Sequence, residues 1–181
     1  VRAVLNIAMK DGNHTADLPK GIKAIAIYNR LEITVETTGE TAGSGPAEIP
    51  VPAVTMLRDY KITVKTELFT REEYIAKFGN INKPKENSLI QLFDYDKIKE
   101  GIYIRVRMPG DMFFPYNSNG KKKLKDFFID SKIPKNIRGN IPLLADGKNI
   151  VWVIGRRTAE NYKVDDSTGK ILYVNIIMHE N

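Results

Sequence analysis

The residues of this sequence best suited to chemistry are cations, and their excess lies in its second half. Residues 101–181 carry 14 Lys or Arg against 8 Asp or Glu, whereas residues 1–100 carry 14 of each. The densest run is Lys121-Lys122-Lys123, followed closely by Lys125. Each cation that meets a phosphate of a nucleic acid releases condensed counterions, which drives binding. The charge pattern therefore indicates a surface that holds a phosphate backbone.

The candidate nucleic-acid-binding residues follow from this pattern. They come from a predicted strand, the lysine run with Lys125, the residues around a short turn that begins at Pro134, and the two residues after a later strand. They are Arg105, Arg107, Lys121, Lys122, Lys123, Lys125, Lys132, Lys135, Arg138, Arg156 and Arg157. Because a lysine run is often no more than a solvated face, the prediction depends on these side chains sharing one surface.

Other kinds of site have little support in the sequence. The two histidines, His14 and His179, lie near opposite ends of a chain without cysteine, so no metal site is predicted. Asp126 and Asp130 are spaced by four on a predicted helix, and we expect them to pair with neighbouring lysines. No Gly-x-Ser-x-Gly elbow and no Gly-rich loop ending in Lys-Ser/Thr is present, so no catalytic residue is predicted.

Composition also bears on the compartment. No stretch approaches the roughly 18 apolar residues of a membrane span, and the first residues do not resemble a secretory signal. The absence of cysteine is typical of a reducing environment. We therefore expect a cytoplasmic protein without a membrane partner.

Periodicity and turn residues predict an α+β protein of two small sheet-plus-helix domains, residues 1–100 and 101–181, divided where the charge balance changes. In the first domain, alternation over residues 22–35 predicts a hairpin. Thr70 and Glu73 have the spacing of a capping box, which predicts a short helix that ends at Gly79. Residues 60–64 and 89–93 are predicted to be strands.

The second domain contains the candidate site. Alternation over residues 102–107 predicts a strand that presents Arg105 and Arg107 on one face. Met108-Pro109-Gly110-Asp111 is typical of a tight turn in which the Asp caps backbone N–H groups. The helical spacing of Leu124, Phe127 and Phe128 predicts a helix after Gly120 whose aromatic face packs inward. Residues 141–154 and 162–178 are predicted to form two hairpins.

Several of these motifs together resemble the C-terminal region of bacterial tRNA(Ile)-lysidine synthases. The resemblance covers about 70 residues, in the same order and spacing as in the family. The similar segments are residues 105–111, 120–130, 132–134, 141–144 and 152–155. Residues 17–21, with Tyr28 and Leu31, are similar to the middle of the same family, where a domain related to one in the phenylalanyl-tRNA synthetase β chain begins. The family commonly has Arg where Met112 stands.

The resemblance implies a function for the whole protein. In this family an N-terminal ATP-pyrophosphatase domain, marked by a Ser-Gly-Gly-x-Asp-Ser loop, uses ATP with Mg to attach lysine to the wobble cytidine of an isoleucine tRNA with a CAU anticodon. The C-terminal domains help to hold that tRNA. The present sequence lacks the loop, so the resemblance implies the tRNA-holding portion of the ligase, with no cofactor of its own.

A second interpretation remains open at this point. The second half could pack on a catalytic domain or form a homodimer, with its charge serving only solubility.

Overall fold

The structure, a computed structural model, describes the backbone of residues 13–18, 22–27 and 30–35 and all of residues 45–179. The chain divides between Thr41 and Ala42 into two compact units. The first unit contains an antiparallel sheet of three strands in the order β1-β2-β3, namely β1 (Asn13–Leu18), β2 (Ile22–Ile27) and β3 (Arg30–Val35). The predicted hairpin over residues 22–35 is confirmed, because Ile22 pairs with Val35 and Ile27 with Arg30.

The second unit combines three sheets with short helices, which confirms the predicted α+β class. Its strands are β4 (Ala47–Glu48), β5 (Ala53–Leu57), β6 (Ile62–Thr70), β7 (Ile90–Asp94), β8 (Tyr103–Arg105), β9 (Met112–Phe113), β10 (Lys122–Lys123), β11 (Leu143–Asp146), β12 (Asn149–Val153), β13 (Arg157–Thr158) and β14 (Lys170–Met178). Its α-helices are α1 (Arg71–Phe78) and α2 (Leu124–Asp130), and single 3₁₀ turns cover Tyr95–Lys97, Lys135–Ile137 and Glu160–Tyr162. In the part of the chain that the structure describes, no helix is long and apolar enough to cross a membrane.

The sheets are built from strands distant in sequence. One sheet has the order β5-β6-β14-β7 and another the order β13-β12-β11-β8-β4, while β9 and β10 form a two-stranded ribbon. β14 pairs along its whole length with β6, from Lys170 opposite Thr70 to Met178 opposite Ile62, and on its other side with β7. The predicted hairpin over residues 162–178 is therefore wrong, because the last strand joins strands of the first half of the chain.

This pairing bears on the predicted division at residue 100. That position lies between β7 and β8, so it separates β14 from both strands with which it pairs. The described sheets consequently do not divide there, and the division by contacts falls at residues 41–42 instead. A change of charge balance along a sequence marks a change of surface and carries no information about strand pairing.

The two larger sheets share one apolar core. Phe93, Trp152 and Leu172 are fully buried in it, and the rings of Phe93 and Trp152 lie 6.0 Å apart. Burial of each such side chain contributes about 1.5–3 kcal/mol, so the core fixes how the sheets and α2 are placed. α1 begins as predicted, since Thr70 Oγ1 accepts from Glu73 N at 3.2 Å and Glu73 Oε2 accepts from Thr70 N at 2.8 Å.

Candidate nucleic-acid interface

The predicted turn at Met108–Asp111 organises the candidate site. Gly110 has a φ of +85°, the left-handed conformation that glycine adopts without strain. The N–H of Asp111 donates to the carbonyl of Met108 at 3.3 Å, and Asp111 Oδ2 accepts from Met108 N at 2.8 Å. The predicted role of Asp111 as a cap within the turn is therefore confirmed.

Asp111 also holds Arg105, which corrects the prediction for that arginine. The guanidinium donates from Nη1 and Nη2 to the two carboxylate oxygens at 2.9 and 3.0 Å, and its side chain is only 3% exposed. β8 ends at Arg105, so Arg107 lies beyond the strand and is exposed. Arg105 thus stabilises the turn from inside the protein and is not available to a phosphate.

The lysine run is extended, where a helix was predicted. Lys122 pairs with Phe113 and Lys123 with Met112 in the β9–β10 ribbon, and the helix begins only at Leu124. The N–H of Leu124 donates to the Asp111 carbonyl at 2.9 Å, which fixes the start of α2 against the turn. The predicted inward face of Leu124, Phe127 and Phe128 is confirmed, since all three are buried.

Strand pairing in the β9–β10 ribbon distinguishes Lys122, which is ion-paired, from Lys121 and Lys123, which form no ion pair with a described carboxylate. Lys122 lies opposite buried Phe113, and its ammonium group is 2.9 Å from Asp130, so that charge is already paired, as predicted for Asp130. Lys123 lies opposite exposed Met112, and Lys121, which precedes the strand, borders a cavity together with the same Met112.

A groove of about 730 Å³ runs beside the turn, with Met108, Pro109 and Met112 among its lining residues. Lys148, in the tight turn between β11 and β12, lines the same groove, and its carbonyl accepts from Arg105 Nη2 at 3.3 Å. Sequence analysis missed Lys148, although it had predicted the turn at Asp146-Gly147. A cation inside a hairpin turn next to a basic segment is the signal that could have identified it.

We define the groove rim as the cations next to this groove. Arg107 precedes the lining residue Met108, Lys121 lies with Met112 and Asn149 in an adjoining cavity, and Lys123 is the cross-strand neighbour of Met112. The rim consists of Arg107, Lys121, Lys123 and Lys148. Lys125 follows on the first turn of α2 and is exposed. None of these five side chains forms an ion pair with a carboxylate of the described residues.

Lysines of β6, α1 and the 3₁₀ turn after β7 are paired with carboxylates. Lys65 and Lys77 both contact Glu67, at 2.8 and 3.0 Å, and these contacts lower the pKa of Glu67. Lys97 lies 2.8 Å from Asp165 and 3.0 Å from Asp94. These lysines are thus neutralised by described carboxylates, whereas the four cations of the groove rim form no such ion pair.

The remaining predicted cations lie around the other end of α2. They are Lys132, Lys135, Arg138, Arg156 and Arg157. Arg138 Nε donates to the Ile133 carbonyl at 2.8 Å, and Arg157 pairs with Glu86. Arg156 is half-buried beside the last turn of the helix, and burial lowers the pKa of its guanidinium. A seven-residue helix is about 10 Å long, so the structure places the predicted cations in two clusters, one near each end of α2.

The structure also places the aromatic and histidine residues that the sequence analysis considered. Phe113 is 2% exposed and packs edge-to-face on Phe127 with ring centroids 5.0 Å apart, which makes it a core residue. Nε2 of His179 lies 2.8 Å from Thr63 Oγ1. Over residues 45–179, no three His, Cys, Asp or Glu side chains are placed to hold a metal ion.

The chain is similar in sequence to proteins of one family. Residues 102–175 match the family model described as the TilS substrate C-terminal domain. The chain is 38% identical over 174 residues to the tRNA(Ile)-lysidine synthase of Caldanaerobacter subterraneus subsp. tengcongensis, an alignment that covers 96% of this chain and 35% of that protein. It is 32% identical over 177 residues to the tRNA(Ile)-lysidine synthase of Clostridium tetani, covering 97% and 36% respectively.

A solved structure supports the same relationship at the level of the fold. A crystal structure of a TilS C-terminal domain superposes with a TM-score of 0.60 at 23% identity, covering 75% of this chain and 98% of that one. The present chain spans about a third of the length of the curated relatives it matches. The chain is therefore similar in sequence to the C-terminal region of the tRNA(Ile)-lysidine synthases and shares the fold of a TilS C-terminal domain.

Proposed function

We propose that this chain holds tRNA for a lysidine synthase, through contacts with the RNA backbone and its shape. The observation that carries the proposal is the groove rim, where Arg107, Lys121, Lys123 and Lys148 come from three separate segments, and none of the four forms an ion pair with a described carboxylate. The names of the related proteins support tRNA(Ile) as the RNA.

The rim suits a double-helical stem. The major groove of A-form RNA is too narrow for side chains, so a protein reads such a stem through phosphates and 2′-hydroxyls. Lysines and arginines on turns and a short ribbon can follow a phosphate backbone without reading bases. Contacts of this kind set position and orientation and leave the choice of sequence to other parts of a protein. The chain would thus orient the tRNA body while chemistry occurs elsewhere.

The wider setting is part of the same proposal. The family resemblance implies that the whole enzyme uses ATP with Mg, takes lysine as its second substrate and acts on a tRNA with a CAU anticodon. It also implies a cytoplasmic location and a likeness of the first unit to the phenylalanyl-tRNA synthetase domain. The candidate residues described above supply only the binding step. Formation of lysidine by this chain alone, from ATP, lysine and tRNA, would contradict the proposed division of labour.

The test is a double substitution within the groove rim, Lys121→Gln with Lys123→Gln. Removal of two phosphate contacts should weaken tRNA binding and reduce the slope of log K against log salt by about 1.4–1.8, at roughly 0.7–0.9 per contact. Binding would be measured by fluorescence anisotropy of a labelled tRNA transcript from 50 to 300 mM KCl.

The matched control is Lys65→Gln with Lys77→Gln. It removes the same charge from a region where both lysines already contact Glu67. We expect the control to keep the wild-type slope. If both double variants had the same slope of log K against log salt, the rim would contribute no more to RNA binding than the control lysines do.

The alternative function is that of a protein–protein or homodimerisation module. Sedimentation and anisotropy measurements on the wild-type chain distinguish it from RNA binding. A chain that dimerises without binding tRNA would sediment as a dimer and give no anisotropy change at 50 mM KCl. That pair of results would replace the RNA-binding proposal.

A further inference from the structure

A second cavity, of about 360 Å³, lies beside the last turn of α2, away from the groove. We call it the Arg156 cavity. Asp130 and Ser131 border it from the end of α2, Glu86 and Asn87 from the segment before β7, and Arg156 from the turn after β12. The backbone N–H of Asn87 donates to the Arg156 carbonyl at 3.1 Å, so two of these segments are held together. The volume corresponds to about twelve waters at roughly 30 Å³ each, which is ample for a phosphate group with part of its hydration.

Two arginines, Arg156 and Arg157, and two carboxylates, Glu86 and Asp130, line the cavity. Both carboxylates form ion pairs, Glu86 with Arg157 and Asp130 with Lys122. Within residues 45–179, no acceptor lies within hydrogen-bond distance of the Arg156 side chain, and no carboxylate pairs with it. Arginine remains a cation at physiological pH. The cavity therefore contains one half-buried positive charge without a counter-charge.

Neutral donors border the cavity beside this charge. The side-chain amide of Asn87 and the hydroxyl of Ser131 also have no hydrogen-bond partner among the residues that the structure describes. Partial burial of an unpaired cation is unfavourable, and an anion that accepts several hydrogen bonds relieves the cost. Arg156, Asn87 and Ser131 thus line one cavity from three separate segments, and each of their side chains carries N–H or O–H donors.

We propose that the Arg156 cavity binds a single RNA backbone phosphate, with Arg156 as the principal donor and Asn87 and Ser131 as supporting donors. This inference rests on the proposed function and adds to it a second contact point at the far end of α2 from Lys123. One stem could then be held at both ends of the helix. Two separated contacts fix the direction of an RNA stem, whereas one cluster alone leaves it free to pivot.

Four versions of the chain test the proposal: wild type, Arg156→Gln, Arg156→Lys and the charge-matched control Arg58→Gln. Arg58 is exposed, and no hydrogen bond or ion pair joins its side chain to the described residues. Loss of a charge-assisted contact predicts about 10- to 100-fold weaker binding of the tRNA transcript for Arg156→Gln, with a salt slope lower by roughly 0.7–0.9. Arg156→Lys should recover part of the affinity, because an ammonium group lacks the paired donors of arginine.

Arg58→Gln should change binding less than about twofold at 0.15 M salt, where screening acts over roughly 8 Å. Circular dichroism of each variant establishes that it is folded. If Arg156→Gln proves unstable, Asn87→Ala and Ser131→Ala take its place, and each should weaken binding about 3- to 10-fold through loss of one neutral hydrogen bond.

The source of the phosphate is tested by NMR of the arginine Nε–Hε signals. A 12-base-pair RNA stem should shift the Arg156 signal at concentrations at which inorganic phosphate does not. A shift with inorganic phosphate alone would mean a site for a free anion and would overturn the proposal.

Two further outcomes separate this inference from the proposed function. If the wild type binds tRNA while Arg156→Gln matches Arg58→Gln, the Arg156 cavity is not a contact point and the groove rim still is one. If the wild type does not bind tRNA at any salt concentration, both proposals fail together.

Discussion

The buried pair of Arg105 and Asp111 permits a quantitative prediction for the substitution Asp111→Ala. The Asp111 carboxylate accepts two hydrogen bonds from Arg105 and one from Met108 N. Its removal leaves a guanidinium that is 3% exposed without a counter-charge, and Nε of that guanidinium already has no partner. Only the carbonyls of Val106 and Lys148 would remain as acceptors, at 3.1 and 3.3 Å.

Breaking one side of a buried pair costs about 3–5 kcal/mol, because the remaining charge is uncompensated. We expect the free energy of unfolding to fall by that amount and the melting temperature by roughly 6–20 °C, at about 2–4 °C per kcal/mol for a chain of this size. Urea titration followed by fluorescence of Trp152, the single tryptophan of the chain and fully buried, would measure the change.

Two further variants make this measurement specific. Asp126→Asn removes an exposed acidic charge from α2 and should change stability by no more than about 0.5 kcal/mol. The double variant Arg105→Met with Asp111→Ala should be more stable than Asp111→Ala alone, because it leaves no unpaired buried charge. A loss below about 1 kcal/mol in Asp111→Ala would show that solvent reaches Arg105, and the structural role assigned to this arginine would have to be abandoned.

The remaining predictions concern stability elsewhere in the second unit. Thr70→Ala should cost about 1 kcal/mol in the same urea titration, because it removes the side-chain acceptor that caps α1, and an unchanged midpoint would show that the cap contributes nothing. Burial, together with the neighbouring Asp146 carboxylate, raises the pKa of the Tyr162 phenol. Since the folded pKa is the higher one, stability should be complete below the unfolded value of about 10 and fall as the pH rises beyond it, by up to about 1.4 kcal/mol per pH unit for one proton. Tyr162→Phe should flatten that decline between pH 10 and 11.5, and parallel curves for the two proteins would show that this phenol does not titrate differently on folding.

Features that depend on neighbours in sequence were predictable. The capping box at Thr70 and Glu73, the turn at Met108–Asp111 and the buried face of α2 all follow from residues three or four positions apart. The hairpin between β11 and β12 follows from alternation around Asp146-Gly147. Each of these signals reports a local backbone geometry, which a short segment specifies on its own.

The candidate site was predictable only in part. Excess charge in the second half identified most of the rim, but it could not show which cations are neutralised. Arg105 looked equivalent to Arg107, and Lys122 to Lys123, until the structure showed Asp111 and Asp130 beside one member of each pair. Lys148 joins the rim only because its hairpin turn folds against the turn at Met108–Asp111.

The amino-acid order by itself thus determined the α+β class, several elements with their start and stop signals, and the positive character of the second half. Tertiary structure decided that β14 completes a sheet begun by β6, that Arg105 is enclosed, and that the cations form two clusters at the ends of α2. The physical reason is the range of the interactions. Helix caps and turns are settled within a few residues, whereas strand pairing and the pairing of charges depend on segments that meet only when the core forms.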